Sequence, residues 1–320
     1  MDFYQIEQIL CVAKYGSITE AAKEMYITQP TMSYAISKAE QEFGVKLFDR
    51  STYPLTLTYS GKKYVETALK MKSLYRDLKK VCDDAAHNAA GELRIGIPHN
   101  RSAQILPFVL QNFHDHYPNI SLHYESGLAE SMKDRLYNRE LDFCILTKVE
   151  QDPRFHYETL FFEELRVVAQ ESMIMNSDLI PGTTTVLKIS ALSHLPLVLP
   201  EELSGLGRML TLFLNDHAIL PKIKARISGN NALYTLAAHG YGATILPQNI
   251  IEQSRPVPGI KTYSLSQPGL GWIVCAMFPR DSILSEAEKT LIRLIREQFL
   301  HYPKELNIYP VFHNQHDQDS

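Results

Sequence analysis

The sequence predicts an α/β protein with a small helical head, a long connecting helix and a larger half built on open sheet, and three observations predict it. Apolar residues recur at helical spacing from Phe3 to Asn88, whereas beyond Gly91 short strand-like runs alternate with amphipathic helices. Charge changes with that texture: residues 1–90 carry 12 basic and 11 acidic groups, and residues 91–320 carry 20 and 25. The 320 residues suit two or three domains at roughly 100–200 residues each, and 45% hydrophobic residues supply a sizeable core. A net charge of −4 names no nucleic-acid partner by itself. Cys11, Cys82, Cys144 and Cys275 lack any pair spacing, which argues against a zinc knuckle, a redox pair or a disulfide framework and favours reduced thiols in the cytoplasm. Residues 1–9 carry Asp2 and Glu7 in place of a basic stretch ahead of an apolar block, and no run approaches 18 apolar residues. Neither export nor membrane insertion is expected.

In chain order, helical patterns cover residues 3–14, 18–25 and 29–43 and make a trihelical unit. Phe3, Ile6, Ile9, Leu10 and Ala13 face inward on the first. Ser17 is a fitting N-cap for the second and Thr28 for the third, where Pro30 is tolerated because the first turn has no amide partner to lose. At 100° per residue, Met32, Ala35, Ile36, Ala39 and Phe43 share one side of the third helix. Pro30, Ser33, Tyr34, Ser37, Lys38 and Gln41 share the other.

That polar side offers hydroxyls, an amide and a lysine without a carboxylate, a set that suits the base edges and phosphates of a DNA major groove, as a helix-turn-helix presents them. The same pattern fits the solvated face of an ordinary bundle helix. Next come residues 44–50 and Leu55-Thr56-Leu57-Thr58, separated by Tyr53-Pro54, which read as a small hairpin or wing. Arg50 at its base reads as a phosphate contact or, equally, as a local ion pair with Asp49.

Residues 60–88 continue as one helical pattern of about 29 residues, roughly 43 Å at 1.5 Å per residue. Tyr64, Ala68, Met71, Tyr75, Leu78, Cys82 and Ala85 repeat by threes and fours, the spacing of a helix–helix seam, and Cys82 reads there as a small apolar filler. His87-Asn88-Ala89-Ala90-Gly91 then marks a helix end and hinge.

In the second half, residues 93–97, 120–124, 143–146, 166–169, 197–199 and 272–277 read as strands with helices between several of them. Ligands of such sheets lie beyond the carboxyl ends of strands, where helix N-termini favour anions. Those ends supply His99, Asn100, Arg101 and Ser102, then Ser126, Gly127 and Leu128, Thr147, Pro200 with Ser204 and Gly205, and Ser228 with Asn230. Arg101 stands out because a guanidinium pairs a carboxylate in two parallel bonds, although it reads also as simply exposed, while Asn100 or Ser102 reads also as a mere helix cap. No catalytic residues emerge: nucleophile elbow, phosphate loop and zincin-spaced histidines are all missing. No cofactor is expected. The tail 301–320, with His313, His316, Asp317 and Asp319, reads as a solvated terminus more readily than a metal site, and no metal ligands are assigned.

The residues reach a specific resemblance in the head. Gly16-Ser17-Ile18-Thr19-Glu20-Ala21-Ala22, Ile27-Thr28-Gln29-Pro30-Thr31-Met32-Ser33, the run from Glu40 to Arg50 and Leu57-Thr58-Tyr59-Ser60-Gly61 together resemble the winged helix-turn-helix of LysR-type transcriptional regulators. The second half, from Gly91-Glu92-Leu93-Arg94-Ile95-Gly96 through Leu141-Asp142-Phe143-Cys144-Ile145-Leu146 to Ala243-Thr244-Ile245-Leu246-Pro247, is similar to the effector-binding half of that family. The resemblance implies that Gln29, Pro30, Thr31 and Ser33, flanked by Thr28, Tyr34, Lys38 and Arg50, meet double-stranded DNA. Two departures stand out: Tyr34 where an arginine is common, and Tyr53-Pro54 where a basic wing residue often enters the minor groove. Fewer cations imply a shallower salt dependence.

The resemblance also implies two α/β lobes like those of type 2 periplasmic binding proteins, crossing near 162–164 and 266–269. The division is then 1–59 for the head, 60–90 for a dimerising linker helix, 91–300 for the effector half, with lobe I at 91–162 and 268–300 and lobe II at 163–267, and 301–320 for the tail. The strand-end residues would line a pocket for a small-molecule effector such as a carboxylate. Partners so implied are DNA, the effector, a second copy with tetramers built from dimers, and RNA polymerase; no membrane is implied. Two alternatives are a small-metabolite enzyme and an architectural DNA-binding protein without effector.

Overall fold

A computed structural model describes residues 2–85, 90–300, 302 and 306–309. The chain separates into two compact units, one made of Met1–Ala89 with Asp134–Leu141 and Ser282–Ser285, the other of Ala90–Lys133, Asp142–Asp281 and Glu286–Ser320.

The first unit opens with α1 (Phe3–Tyr15), α2 (Ile18–Glu24) and α3 (Gln29–Phe43), each started by a side chain that accepts a first-turn amide: Asp2, Ser17 and Thr28. Gly16 and Gly44, at φ 60° and 67°, end α1 and α3 in the left-handed region that glycine enters without strain. Ile9, Val12, Ala21, Met32, Ile36 and Ala39 close the trihelical core. The wing pairs β1 (Phe48–Asp49) antiparallel with β2 (Thr56–Leu57), and Leu47 and Phe48 carry it into the same core. α4 (Tyr59–Ala85) follows, with its first turn so close to the wing that a Cβ on Gly61 would overlap the Leu47 carbonyl. Two side chains expected inside are half-exposed: Phe43 meets Tyr64 edge-on at 5.6 Å, and Phe3 lies against Tyr75 at 4.7 Å. Both are late or early residues of their helices, beyond the reach of the small core. Residues 87–89 of the expected hinge, and the side chain of Ala85 on the expected seam, lie outside the described residues.

The second unit runs β3 (Gly91–Gly96), α5 (His99–His116), β4 (Ile120–Glu125) and the start of α6 (Ala129–Tyr137), whose residues 134–137 belong to the first unit, then β5 (Phe143–Thr147), β6 (Phe155–Gln170) and β7 (Val186–Leu187). It continues with β8 (Pro196–Pro200), α7 (Gly205–Asp216), β9 (Lys222–Ile227), α8 (Asn230–Ala238), β10 (Thr244–Pro247) and α9 (Gln248–Gln253). It ends with β11 (Ile260–Leu265), β12 (Leu270–Pro279), α10 (Glu286–Gln298) and β13 (Asn307–Ile308). The main sheet has the order β4-β3-β5-β12-β6-β11-β7, with β10 also on β6 and β13 on β12, while β8 and β9 pair separately.

The 16-residue β6 joins two halves of this unit. From Phe155 to Glu164 it pairs β12; from Leu165 onward it pairs β10 and β11. The first half holds parallel β4-β3-β5 and packs α10 against α5 and β6, and the second buries a continuous core from Leu165, Val167 and Leu197 to Leu210, Leu233 and Ile245. Of these strands the sequence predicts β3, β4, β5, β8 and β12, and β6 only from residue 166, but not β7, β9, β10, β11 or β13. Among the described residues, no helix is long and apolar enough to cross a membrane and no group of three or more His, Cys, Asp or Glu is placed to hold a metal.

Candidate DNA-reading face and candidate ligand cleft

On α3 the buried residues Met32, Ala35, Ile36 and Ala39 turn the opposite side outward. Thr28, Gln29, Pro30, Thr31 and Lys38 are exposed, Tyr34 is 69% exposed, and Ser33 is half-buried. The first turn is held by Thr28, whose Oγ1 lies 2.8 Å from Thr31 Oγ1, so two hydroxyls are fixed beside Gln29.

Arg50 resolves differently from the local pair with Asp49. Asp49 accepts from Ser51 N and Oγ, at 2.9 and 2.6 Å, and Ser51 holds its carboxyl below the ordinary value. The Arg50 guanidinium, 49% exposed, lies 3.6 Å from Glu40 on α3. Glu40 itself is buried and accepts from Lys46 Nζ at 2.8 Å and from Leu47 N at 3.0 Å. One carboxylate therefore ties the wing to α3 and tempers two cations beside the exposed face of that helix. Burial pushes its carboxyl up, but Lys46 and the Leu47 and Phe48 amides outweigh burial and hold it below its ordinary value. A depressed folded-state pKa stabilises above the unfolded pKa and is lost as pH falls through the folded one. Melting of the head, followed by circular dichroism across the acid range, is expected to decline below the ordinary carboxylate pKa, and Glu40→Gln is expected to flatten that decline. An unchanged profile in the variant would assign the acid sensitivity elsewhere.

In the second unit, parallel strands put their carboxyl ends on one edge. Gly96 aligns with Glu125 of β4 and with Cys144 of β5, which brings residues 97–102, 126–128 and Thr147 together. In the second half Pro200 aligns with Ile227, which brings Ser204 beside Ser228 and Asn230. The two edges meet: Arg208 on α7 lies 3.1 Å from Glu130 on α6. His99, Ser126, Gly127, Leu128, Ser204 and Ser228 are exposed, Thr147, Gly205 and Asn230 half-buried, and Pro200 buried with its carbonyl accepting from Arg226. The side chain of Asn100 lies outside the described residues.

Ser102 does not cap α5. Its hydroxyl donates back to the His99 carbonyl at 2.7 Å and lies 3.1 Å from Tyr124 OH. α5 and α8 both begin without a side-chain cap among the described residues, whereas Ser204 accepts from Gly207 N and caps α7. Uncapped first turns leave backbone N–H groups for a ligand.

Arg101 is the main correction. It is neither exposed nor open to a ligand: its side chain is 4% exposed and Nη2 lies 2.9 Å from Glu163, which is fully buried. Trp272 Nε1 donates to the same carboxylate at 2.8 Å and Asn249 N at 3.3 Å. Arg101 also donates to Thr147 Oγ1 and Gln104 Oε1. Reading residues one at a time missed this network, although a signal was present. Phe161, Glu163, Leu165 and Val167 alternate on one strand face, so Glu163 is an acid on an apolar stripe.

Two of the four cysteines have no reactive setting. Cys144 and Cys275 are buried in paired strands, and burial pushes the Cys275 thiol up to about 12, far from a thiolate.

The family described as "LysR substrate binding domain" matches residues 86–300, and "Bacterial regulatory helix-turn-helix protein, lysR family" matches residues 3–62. The HTH-type transcriptional regulator CzcR of Bacillus subtilis is 24% identical over 93% of this chain and 98% of its own length. Among solved structures, a full-length single-site variant of OxyR from Pseudomonas aeruginosa superposes with a TM-score of 0.70 at 21% identity, covering 93% of this chain and 94% of that one. CbnR complexed with its target DNA gives 0.59 at 18% identity, covering 93% and 100%. With an exposed helix-turn-helix followed along the chain by an α/β unit of two halves, and with family matches over both, the chain belongs to the LysR family of bacterial DNA-binding transcriptional regulators.

Proposed function

We propose that this regulator takes a small polar effector at the meeting edges of the second unit. One observation carries the reading: two helices, α5 and α8, open without side-chain caps on the edges where Ser126, Thr147, Ser204, Ser228 and Asn230 collect. Free amides and hydroxyls suit a ligand with accepting oxygens. A carboxylate held by Arg101 is not part of the reading, because that guanidinium is already paired with Glu163. The effector favours one arrangement of the two halves, and a coupling of about 1–3 kcal/mol would change DNA affinity roughly 5- to 150-fold.

DNA is met by Gln29, Pro30, Thr31 and Ser33, with Thr28, Tyr34, Lys38 and Arg50 around them, a reading supported by the exposed face of α3 and by the DNA-bound structure of CbnR. Action on DNA puts the protein in the cytoplasm. A second copy covers α4, where Met71, Leu74, Tyr75 and Leu78 form an exposed apolar stripe. The stripe runs on from an apolar groove of about 260 Å³ lined by Phe43, Val45, Tyr64 and Ala68. Dimers paired in this way assemble into tetramers and meet RNA polymerase at the promoter. No observation here favours catalysis or a purely architectural role.

The cleft is tested by thermal melting of the full chain with small carboxylates and neutral polar metabolites. A ligand at a hundred times its Kd adds about 2.7 kcal/mol, a rise of several degrees at roughly 2–4 °C per kcal/mol. The rise is expected to vanish in Thr147→Ala and in Ser228→Ala. A stabiliser indifferent to both substitutions would move the site elsewhere.

A further inference from the structure

The substrate-domain match ends at residue 300, yet the described residues beyond it are built into the second unit. Tyr302 is buried against Phe161 and Phe299, at 5.5 and 5.2 Å, in the first half. Its hydroxyl accepts from Gln104 Nε2 of α5 and donates to Glu252 Oε2 of α9, each at 2.9 Å, so one phenol spans both halves. Burial, then Glu252, push that phenol far above its ordinary pKa, so it stays a donor.

Further on, β13 runs parallel to the start of β12, where the chain crosses between halves. Asn307 N donates to Gly269 O at 2.8 Å and Tyr309 N to Gly271 O at 2.9 Å. The Asn307 side chain donates to Pro268 O at 2.5 Å and Ser266 Oγ at 3.0 Å, and so grips the crossing turn itself. Gly271 makes room: a Cβ there would stand 2.9 Å from Leu306 Cβ and closer still to its Cδ1. Tyr309 then leaves the crossing for the second half, where its ring meets Phe213 edge-on at 5.5 Å and its hydroxyl donates to Asp216 on α7.

We infer that Tyr302 and residues 306–309 act as a strap, anchored at Tyr302 in the first half and at Tyr309 in the second, that holds the two halves of the sensor unit at a set angle. β6 and the 266–271 crossing are hinges with backbone continuity, and a two-stranded crossing can twist. A third, hydrogen-bonded strand laid over the crossing, with an aromatic anchor at each end, stiffens it. The inference does not depend on which molecule the cleft takes.

Hydrogen–deuterium exchange on the full chain without effector tests it. The readout is residues 126–130 and 204–208, the meeting edges, which no strap residue touches. Tyr309→Phe keeps the ring and loses only the bond to Asp216, so folding is preserved. Exchange at both edges is expected to rise roughly fivefold, the worth of one net hydrogen bond. Asp216→Asn should act in the same direction, the Tyr309→Phe/Asp216→Asn double variant should add little, and Asn307→Ala combined with Tyr309→Phe should raise exchange further. Acceleration confined to 266–271 and 306–309, or none, would reduce the segment to a tail resting on the surface and overturn the strap.

Discussion

Glu163→Ala is expected to destabilise the second unit by about 3–5 kcal/mol, the cost of leaving one partner of a buried ion pair alone. The carboxylate accepts from Arg101, from the Trp272 indole and from the Asn249 amide, and none of the three reaches water when it is removed. Against a typical stability of about 5–15 kcal/mol, that loss is a large part of the whole. Glu163→Gln keeps an accepting oxygen but surrenders the charge, so its cost should fall between wild type and alanine. Arg101→Met/Glu163→Met should recover part of the loss, because no charge is then stranded. Trp272 is the sole tryptophan of the sequence and sits on the pair, so its fluorescence in urea reads the transition directly. An alanine variant as stable as wild type would mean that water reaches Arg101, and the buried network would be an incorrect account of the hinge.

Gln29→Ala/Ser33→Ala should lower affinity for a specific site by about 2–6 kcal/mol, at roughly 1–3 kcal/mol for each base-edge interaction removed. The fall stops at the level of non-specific binding, which phosphate contacts maintain. Both side chains lie on the outward side of α3, so melting should not change. Lys38→Ala is the contrast: without its charge on a phosphate, all sequences should bind more weakly by the same factor, and the salt slope should shrink by about one. Footprinting on the DNA flanking the protein's own gene, across a salt series, measures both. Equal affinity of the double variant and wild type would remove α3 as the reading helix.

The head was legible because its signals are local. Ser17 and Thr28 cap helices through bonds to residues three positions on, Gly16 and Gly44 end them in the left-handed region, and the apolar period of Met32, Ala35, Ile36 and Ala39 decides which side of α3 is buried. The wing followed from the same reasoning, down to the pairing of residues flanking Tyr53-Pro54. The fate of Arg50 was less legible, because its acidic neighbour in space, Glu40, is ten positions away, and the adjacent Asp49 is taken by Ser51.

The cleft shows the same division at longer range. Strand ends could be read off the alternation of elements, and the parallel pairing of β3, β4 and β5 gathers those ends on one edge. Ser102 as a cap and Arg101 as a ligand clamp were reasonable from their place at a helix start, and both gave way to partners the linear order does not display. Composition, capping residues and apolar period, all properties of neighbours within a turn or two, determined by themselves the three-helix head, the long helix and the α/β class. Only the tertiary structure decided that Arg101 spends its charge on Glu163, 62 residues on, and that Tyr302 and Tyr309 return to join both halves. Burial and charge pairing depend on which segments meet, and meetings at that separation along the chain leave no periodic trace.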